Sequence, residues 1–311
     1  MDDSMNVLCI VGPTAVGKSA IAEEVALRLG GEIVSTDSMQ VYRGMDIGTA
    51  KVPANERRCT YHMVDVADVN EDYSVSRFQT DARNCVNSVL ESDKVPVLCG
   101  GTGLYLDAVI DDMSFPHGEV KSKARKDLEA YANQYGSQAL YDMLRRRDPK
   151  SAELIHPNNV RRVVRALEML DEGVSYATQH EGLRDRKQYY RAKIWALTLS
   201  RETLYERIEQ RVDAMFEMGL LEEVQRLMGQ GIKDSATASK AIGYKEMISH
   251  IEGACTLEEA RRQIKQNTRR YAKRQLSWIR RDGRATWIDL DNTSSDEAVQ
   301  MICADWGQRG Q

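Results

Sequence analysis

Short apolar runs recur along the first third of the chain, at residues 7–11, 32–35, 62–66 and 95–99. Each is of strand length and bounded by turn-forming residues. Between them the apolar positions take helical spacing. Residues 74–90 show it most clearly, with Val75, Phe78, Ala82, Val86 and Val89 forming one stripe. Alternating strands and helices predict a parallel sheet with helices on both faces. Beyond residue 116 the period changes: residues 117–186 read as helices at 121–135, 138–147 and 159–170, the last opened by His156-Pro157-Asn158. Strand character returns at 192–199. Long helices follow at 202–216, 221–228, 241–252 and 257–281, then a last strand at 285–290 and a polar tail. The pattern predicts an α/β core built from residues 1–116 and 187–311, interrupted by an all-helical insertion at 117–186.

In parallel sheets of this kind ligands sit beyond the carboxyl ends of the strands, so those ends carry the chemistry. The first holds Gly12-Pro13-Thr14-Ala15-Val16-Gly17-Lys18-Ser19 between a strand and an amphipathic helix. That is the context in which G-x-x-x-x-G-K-[ST] forms a phosphate loop, and it predicts a P-loop NTPase-like core. Gly12, Thr14, Ala15, Val16 and Gly17 would curl the backbone so that its N–H groups meet a phosphate, with the helix N-terminus behind them. Lys18 would reach the outer phosphate oxygens, and Ser19 would offer its hydroxyl to a phosphate-bound Mg²⁺. The plainer alternative is a tight glycine turn with Lys18 exposed.

Two other strand ends are rich in polar groups: Asp37-Ser38-Met39-Gln40, and Gly100-Gly101-Thr102-Gly103. A P-loop ATPase usually holds its metal with an apolar strand ending in Asp. The strand at 95–99 ends in glycines instead. Asp37 is the acid best placed by sequence, and it could hold metal-bound water, act as a base on an acceptor, or cap the following turn. The site looks built to grip a phosphorylated group without clear hydrolytic machinery, and a small-molecule kinase stays open.

Composition narrows the picture. The chain has 311 residues, 42% of them hydrophobic, and a formal net charge of −4. Its six cysteines show neither C-x-x-C spacing nor a His at metal-ligand spacing, which predicts a reducing, cytoplasmic setting without disulfides or zinc. No apolar run approaches membrane-spanning length. Against the acidic total, residues 261–284 carry eight Arg and two Lys with one acid, Asp282. Tyr271 and Trp278 interrupt that charge one heptad apart and, with Gln275 and Leu276, could form a buried stripe. Arg161, Arg162 and Arg165 share one side of a helix in the insertion. Two basic helices in distant parts of the chain suggest a grip on a polyanion, or two solvated surfaces.

Together these motifs resemble the bacterial tRNA dimethylallyltransferases, which move the dimethylallyl group of dimethylallyl diphosphate to N6 of the adenine next to the anticodon. The matching stretches are residues 12–19 (GPTAVGKS), 37–51 (DSMQVYRGMDIGTAK), 100–106 (GGTGLYL), 156–168 (HPNNVRRVVRALE), 207–211 (RIEQR), 242–246 (IGYKE) and 273–280 (KRQLSWIR). They run in family order over about nine-tenths of the chain. The resemblance implies a catalytic set of Asp37 as base, Thr102 as donor to the bridging oxygen, and Arg207 on the diphosphate with Arg211 second. It implies Mg²⁺ as cofactor. It also implies tRNA contacts from Asp37, Ser38, Met39, Gln40, Arg161, Arg162, Arg165, Lys240, Gly243, Tyr244, Lys245, Lys273, Arg274, Trp278 and Arg280, in a monomer. An isopentenyltransferase acting on free AMP, ADP or ATP would not need the basic helix, and a non-catalytic RNA-binding protein would not need Asp37.

Overall fold

Six parallel strands line up among the described residues, which are 6–115, 122–182 and 187–307 of this computed structural model. They are β1 (Asn6–Val11), β2 (Glu32–Ser35), β3 (Tyr61–His62), β4 (Pro96–Gly100), β5 (Arg191–Thr198) and β6 (Ala285–Asp289), in the order β3-β2-β4-β1-β5-β6. The central strand β1 is buried on both faces because alternate side chains serve different layers. Val7, Cys9 and Val11 pack with α2 (Val75–Glu91), α3 (Gly103–Ile110), α9 (Leu220–Gly229), α10 (Tyr244–Ile251) and α11 (Leu257–Ile279). Leu8 and Ile10 pack on the other side against α1 (Lys18–Leu29), the first turns of α8 (Arg201–Glu217) and α12 (Ser295–Gly307).

The chain divides into two compact units, Met1–Ile110 with Gln188–Gln311, and Asp111–Lys187. The second contains α4 (Lys123–Arg147), α5 (Pro149–Glu153), α6 (Val160–Asp171) and α7 (Tyr176–Gly182). It has its own core of Leu140, Leu144, Val163, Val164 and Leu167. The expected boundary at residues 116–117 and the expected helix start at Lys121 lie outside the described residues.

Three expectations change in detail, and one holds. The run at 62–66 pairs only through Tyr61–His62, because Met63 and Asp65 adopt φ of 62° and 58°, which ends a strand. The two helices expected at 121–135 and 138–147 are found as two helical stretches within α4, separated at Gly136, whose φ of 86° and ψ of 162° are not helical. The helix expected from residue 241 starts at Tyr244, after Gly243 at φ 95°. The polar tail contains α12, which puts Ala298, Val299 and Ile302 into the core.

The glycine run after β4 shows why small residues stand there. A Cβ on Gly100 would lie 2.3 Å from the Thr36 hydroxyl, and one on Gly103 would lie 2.0 Å from the Trp278 ring. Helix α11 therefore rests directly on the start of α3, and the Trp278 indole N–H donates to Asp107 at 3.0 Å. Trp278 is half-buried and packs against Gly103 in this way.

Candidate active site

The phosphate loop joins β1 to α1 as its sequence predicts, with Gly17 at φ 101° as N-cap and no side chain capping the helix. The first helical N–H groups are thus left for an outside acceptor. One loop amide is already used: Thr14 N–H donates to Gln275 Oε1 at 2.9 Å, so it is not aimed at phosphate as expected. The same Gln275 donates from Nε2 to Gly101 O at 2.9 Å. One buried side chain on α11 therefore ties the phosphate loop to the glycine run after β4.

These elements enclose a cavity of about 240 Å³. Thr14, Lys18, Asp37, Ser38, Thr49 and Arg211 form its polar side, and Lys240, Tyr271, Arg274 and Gln275 also line it. Met39, Val212, Met215, Ala241, Ile242 and Ile264 form an apolar side. A smaller hollow shares Thr14, Lys18, Asp37, Thr49 and Arg211 and adds Ser19, Gln40 and Lys51. Asp37 Oδ1 accepts Met39 N–H at 2.9 Å, so the residue does hold the turn. Its Oδ2 has no hydrogen-bond partner among the described residues and is left for chemistry.

Two cations face this carboxylate. Burial lowers the Lys18 pKa; the charges of Cys99 and Asp37 oppose that, while Arg211 adds to it. Burial also lowers the Arg211 pKa, opposed by Asp37. Arg211 Nε is shut off from solvent and has no partner among the described residues. Taking a cation out of water without a partner is costly, so this arrangement is poised for an anion. Tyr271 has its pKa pushed up to about 12, by burial first and then by Asp37, and stays a protonated phenol. Its hydroxyl lies 3.3 Å from Thr102 Oγ1, which also accepts Ser38 N–H at 3.3 Å.

Other expected residues fall elsewhere. Arg207 donates to Val16 O at 3.4 Å and braces the loop, whereas Arg211 lines both hollows; this reverses the expected order of the two. Tyr244 is fully buried and donates to Glu223 at 2.6 Å, so it is core rather than RNA surface. Gly243 serves as the N-cap of α10, and Lys245 pairs with Glu246 at 3.4 Å. Gln40 is bonded to Ser35 and Thr49. In the insertion, Arg161 and Arg162 are exposed, while Arg165 sits 3.9 Å from Glu168.

The basic run on α11 is only partly a free surface. Arg261 and Lys265 pair with Asp213, Arg269 with Glu209, and Arg284 with Asp282. Lys273, Arg274 and Arg280 make no ion pair among the described residues, and Lys273 and Arg280 line a hollow with Arg201 and Tyr205.

Sequence reasoning missed three contributors. Gln275 and Tyr271 were visible only as members of a buried stripe. Glu223 accepts the N–H groups of Asp46, Ile47 and Gly48 at 3.1, 2.9 and 3.3 Å, and so shapes the wall that carries Thr49. No local pattern links it to a loop so far away in the chain.

The IPP transferase family pattern matches residues 40–282, and that of isopentenyl transferase matches residues 5–64. The chain belongs to the IPP transferase family. It is 44% identical to a tRNA dimethylallyltransferase of Carboxydothermus hydrogenoformans over 98% of both chains. It is 42% identical to that of Bacillus subtilis, over 91% of this chain and 90% of the relative. The crystal structure of the full-length tRNA isopentenylpyrophosphate transferase of Bacillus halodurans superposes with a TM-score of 0.73 at 43% identity, covering 98% of this chain and 96% of that one. A eukaryotic dimethylallyltransferase acting on tRNA gives a TM-score of 0.81 at 28% identity, over 98% and 80%.

The residues of this family member fit a phosphate-borne Mg²⁺ more readily than a protein-caged one. Among the described residues no group of three or more His, Cys, Asp or Glu suits a metal. Ser19 lines the smaller hollow beside Lys18 and would supply one oxygen. Mg²⁺ commonly takes its remaining ligands from phosphate and water. Among the described residues no helix is long and apolar enough to cross a membrane.

The half-buried cations generate a prediction. A lowered folded-state pKa means that protonated Lys18 opposes folding at every pH below that value, and the penalty fades as pH rises toward the unfolded value. A bound anion should recover it at neutral pH. Inorganic diphosphate at about one hundred times its Kd should add about 2.7 kcal/mol of stability, read as a rise in the thermal midpoint. Arg211→Ala should lose most of that rise. An equal rise in the variant would mean that the anion binds elsewhere.

Proposed function

We propose that this protein transfers the dimethylallyl group of dimethylallyl diphosphate to N6 of the adenine 3′-adjacent to the anticodon of tRNA, releasing diphosphate. One observation carries the reading: Asp37, the half-buried cations Lys18 and Arg211, and an apolar wall all line one cavity. A cation pair next to an apolar wall suits an allylic diphosphate, charged at one end and hydrocarbon at the other.

The amine attacks the allylic carbon, and the carbon–oxygen bond to the diphosphate breaks with its electron pair left on oxygen. Asp37 Oδ2 takes the amine proton. An exocyclic adenine amine is a weak nucleophile, so a positioned base matters. Lys18, Arg211 and the free amides at the start of α1 stabilise charge as it builds on the departing diphosphate. Thr102 donates its hydroxyl to the bridging oxygen. Mg²⁺, held on the Ser19 side, would neutralise part of the diphosphate charge. An adenine stacked in an anticodon loop must leave the stack to reach such a cavity. The unpaired Lys273, Arg274 and Arg280, and in the insertion Arg161 and Arg162, are the cations proposed to meet RNA phosphates. They favour tRNA over a free nucleotide as acceptor. We further take the protein to act as a monomer in the cytoplasm.

Asp37→Asn tests the base. Asn can still accept Met39 N–H and hold the turn, but it has no basicity. Single-turnover transfer should fall by about 10² to 10⁴, with tRNA affinity far less affected. A near-normal rate would reduce Asp37 to a turn-forming residue.

The free cations are tested by salt. The affinity for tRNA should fall steeply with salt, and Lys273→Gln should reduce the log–log slope by roughly one, as should Arg161→Gln. Arg269→Gln, at a residue already paired with Glu209, should leave the slope unchanged. Equal slopes in all three would return these helices to solvated surface.

A further inference from the structure

We propose that Tyr271 is a positioning residue for leaving-group departure: its phenol donates to Thr102 Oγ1 and so commits the Thr102 proton to the bridging oxygen of the substrate. The inference rests on the reading of Thr102 as donor to that oxygen.

The argument is one of hydrogen-bond capacity. A threonine hydroxyl has one proton to give and two lone pairs. In this structure the Ser38 N–H, which can only donate, takes one lone pair at 3.3 Å. The Tyr271 hydroxyl lies 3.3 Å away, and the Ser38 hydroxyl also lies 3.3 Å away. If Tyr271 donates, both lone pairs are filled and the Thr102 proton must point outward. In this structure that proton finds Ser38 Oγ. With an allylic diphosphate in place, the stronger acceptor is the bridging oxygen as its bond to carbon lengthens. A phenol O–H is the more acidic of the two hydroxyls and the aliphatic Thr102 oxygen the better acceptor, so the donor role at this 3.3 Å contact falls to Tyr271. A Thr102 hydroxyl that accepts two hydrogen bonds is also a better donor, because chained hydrogen bonds polarise one another.

The balance of the step is unchanged by Tyr271. The carbon–oxygen electron pair goes to diphosphate, the amine proton goes to Asp37, and both hydroxyl protons stay where they began. Tyr271 itself needs no contact with the reacting atoms. The Arg274 guanidinium, 5.6 Å from the Tyr271 ring centre, and the Gln275 clamp one helical turn away fix the ring on α11.

The test uses two substrates on the full chain: dimethylallyl diphosphate, and its thiolo analogue with sulfur at the bridging position. Sulfur is a weak acceptor, so the Thr102 bond is lost with the analogue whatever Tyr271 does. With the oxygen ester, Tyr271→Phe should slow single-turnover transfer about tenfold, the size of one net hydrogen bond to developing charge. With the sulfur ester, variant and wild type should differ by less than about twofold, because there is no bond left to orient. Equal slowing on both substrates would make Tyr271 a packing residue and overturn the proposal. Thr102→Ala separates the failures. If it slows the oxygen ester and Tyr271→Phe does not, the inference falls and Thr102 keeps its role. If neither variant slows it, the reading of Thr102 falls as well.

Discussion

A single buried amide holds the active site together. Gln275 accepts from Thr14 N–H and donates to Gly101 O, both at 2.9 Å. With it, α11 becomes the third wall of a space whose other walls are the phosphate loop and the ends of β2 and β4. The rest follows from that fixing. Tyr271, one turn earlier on α11, is brought beside Thr102, and Trp278 is set down on Gly103. The glycines after β4 are small because the helix approaches so closely. A Cβ on Gly101 would lie 2.2 Å from Gln275 Nε2. Both polar ends of Gln275 are satisfied, and leaving such groups unpaired in a buried place costs about 1 to 3 kcal/mol each. The glycine loop after β1 and the glycine run after β4 are thereby both tied to α11.

Charge explains the cavity's appetite. Lys18 and Arg211 are held where water cannot fully solvate them, with Asp37 as the acid that offsets part of the cost. Asp37 does not pair off completely with either. One oxygen holds the Met39 amide, and the other remains open. The same carboxylate thus offsets part of the cost of two cations, and on the proposed mechanism its open oxygen is the one that would take the amine proton. Preorganised charges of this kind stabilise a transition state because they need not reorient as charge develops.

Much of this was legible in the sequence where the signal is local. The phosphate loop announces itself by spacing, and β1, β2, β4 and β5 by short apolar runs. The Asp37 turn stands at a strand end where ligands bind. What the sequence hid was long-range or shared between roles. Arg207 and Arg211 lie on one face of α8, and only packing decides that the first braces Val16 while the second enters the cavity. Tyr244 looks like part of a basic, RNA-facing segment until Glu223 draws its hydroxyl into the core. The charge of α11 reads as one block, yet Asp213 and Glu209 on α8 neutralise its first turns and leave the later ones free. The apolar wall is assembled from Met39, Val212, Ile242 and Ile264, residues of four separate segments, and no periodicity joins them.

The most direct measurement is a competition for the prenyl group. Purified protein is incubated with labelled dimethylallyl diphosphate, Mg²⁺, bulk tRNA and an equal concentration of mixed AMP, ADP and ATP. The label is then located by nucleoside analysis. The account predicts that it appears on adenine N6 within tRNA and not on the free nucleotides, with one diphosphate released per transfer. Label on free nucleotide in preference to tRNA, or consumption of ATP without prenyl transfer, would contradict it.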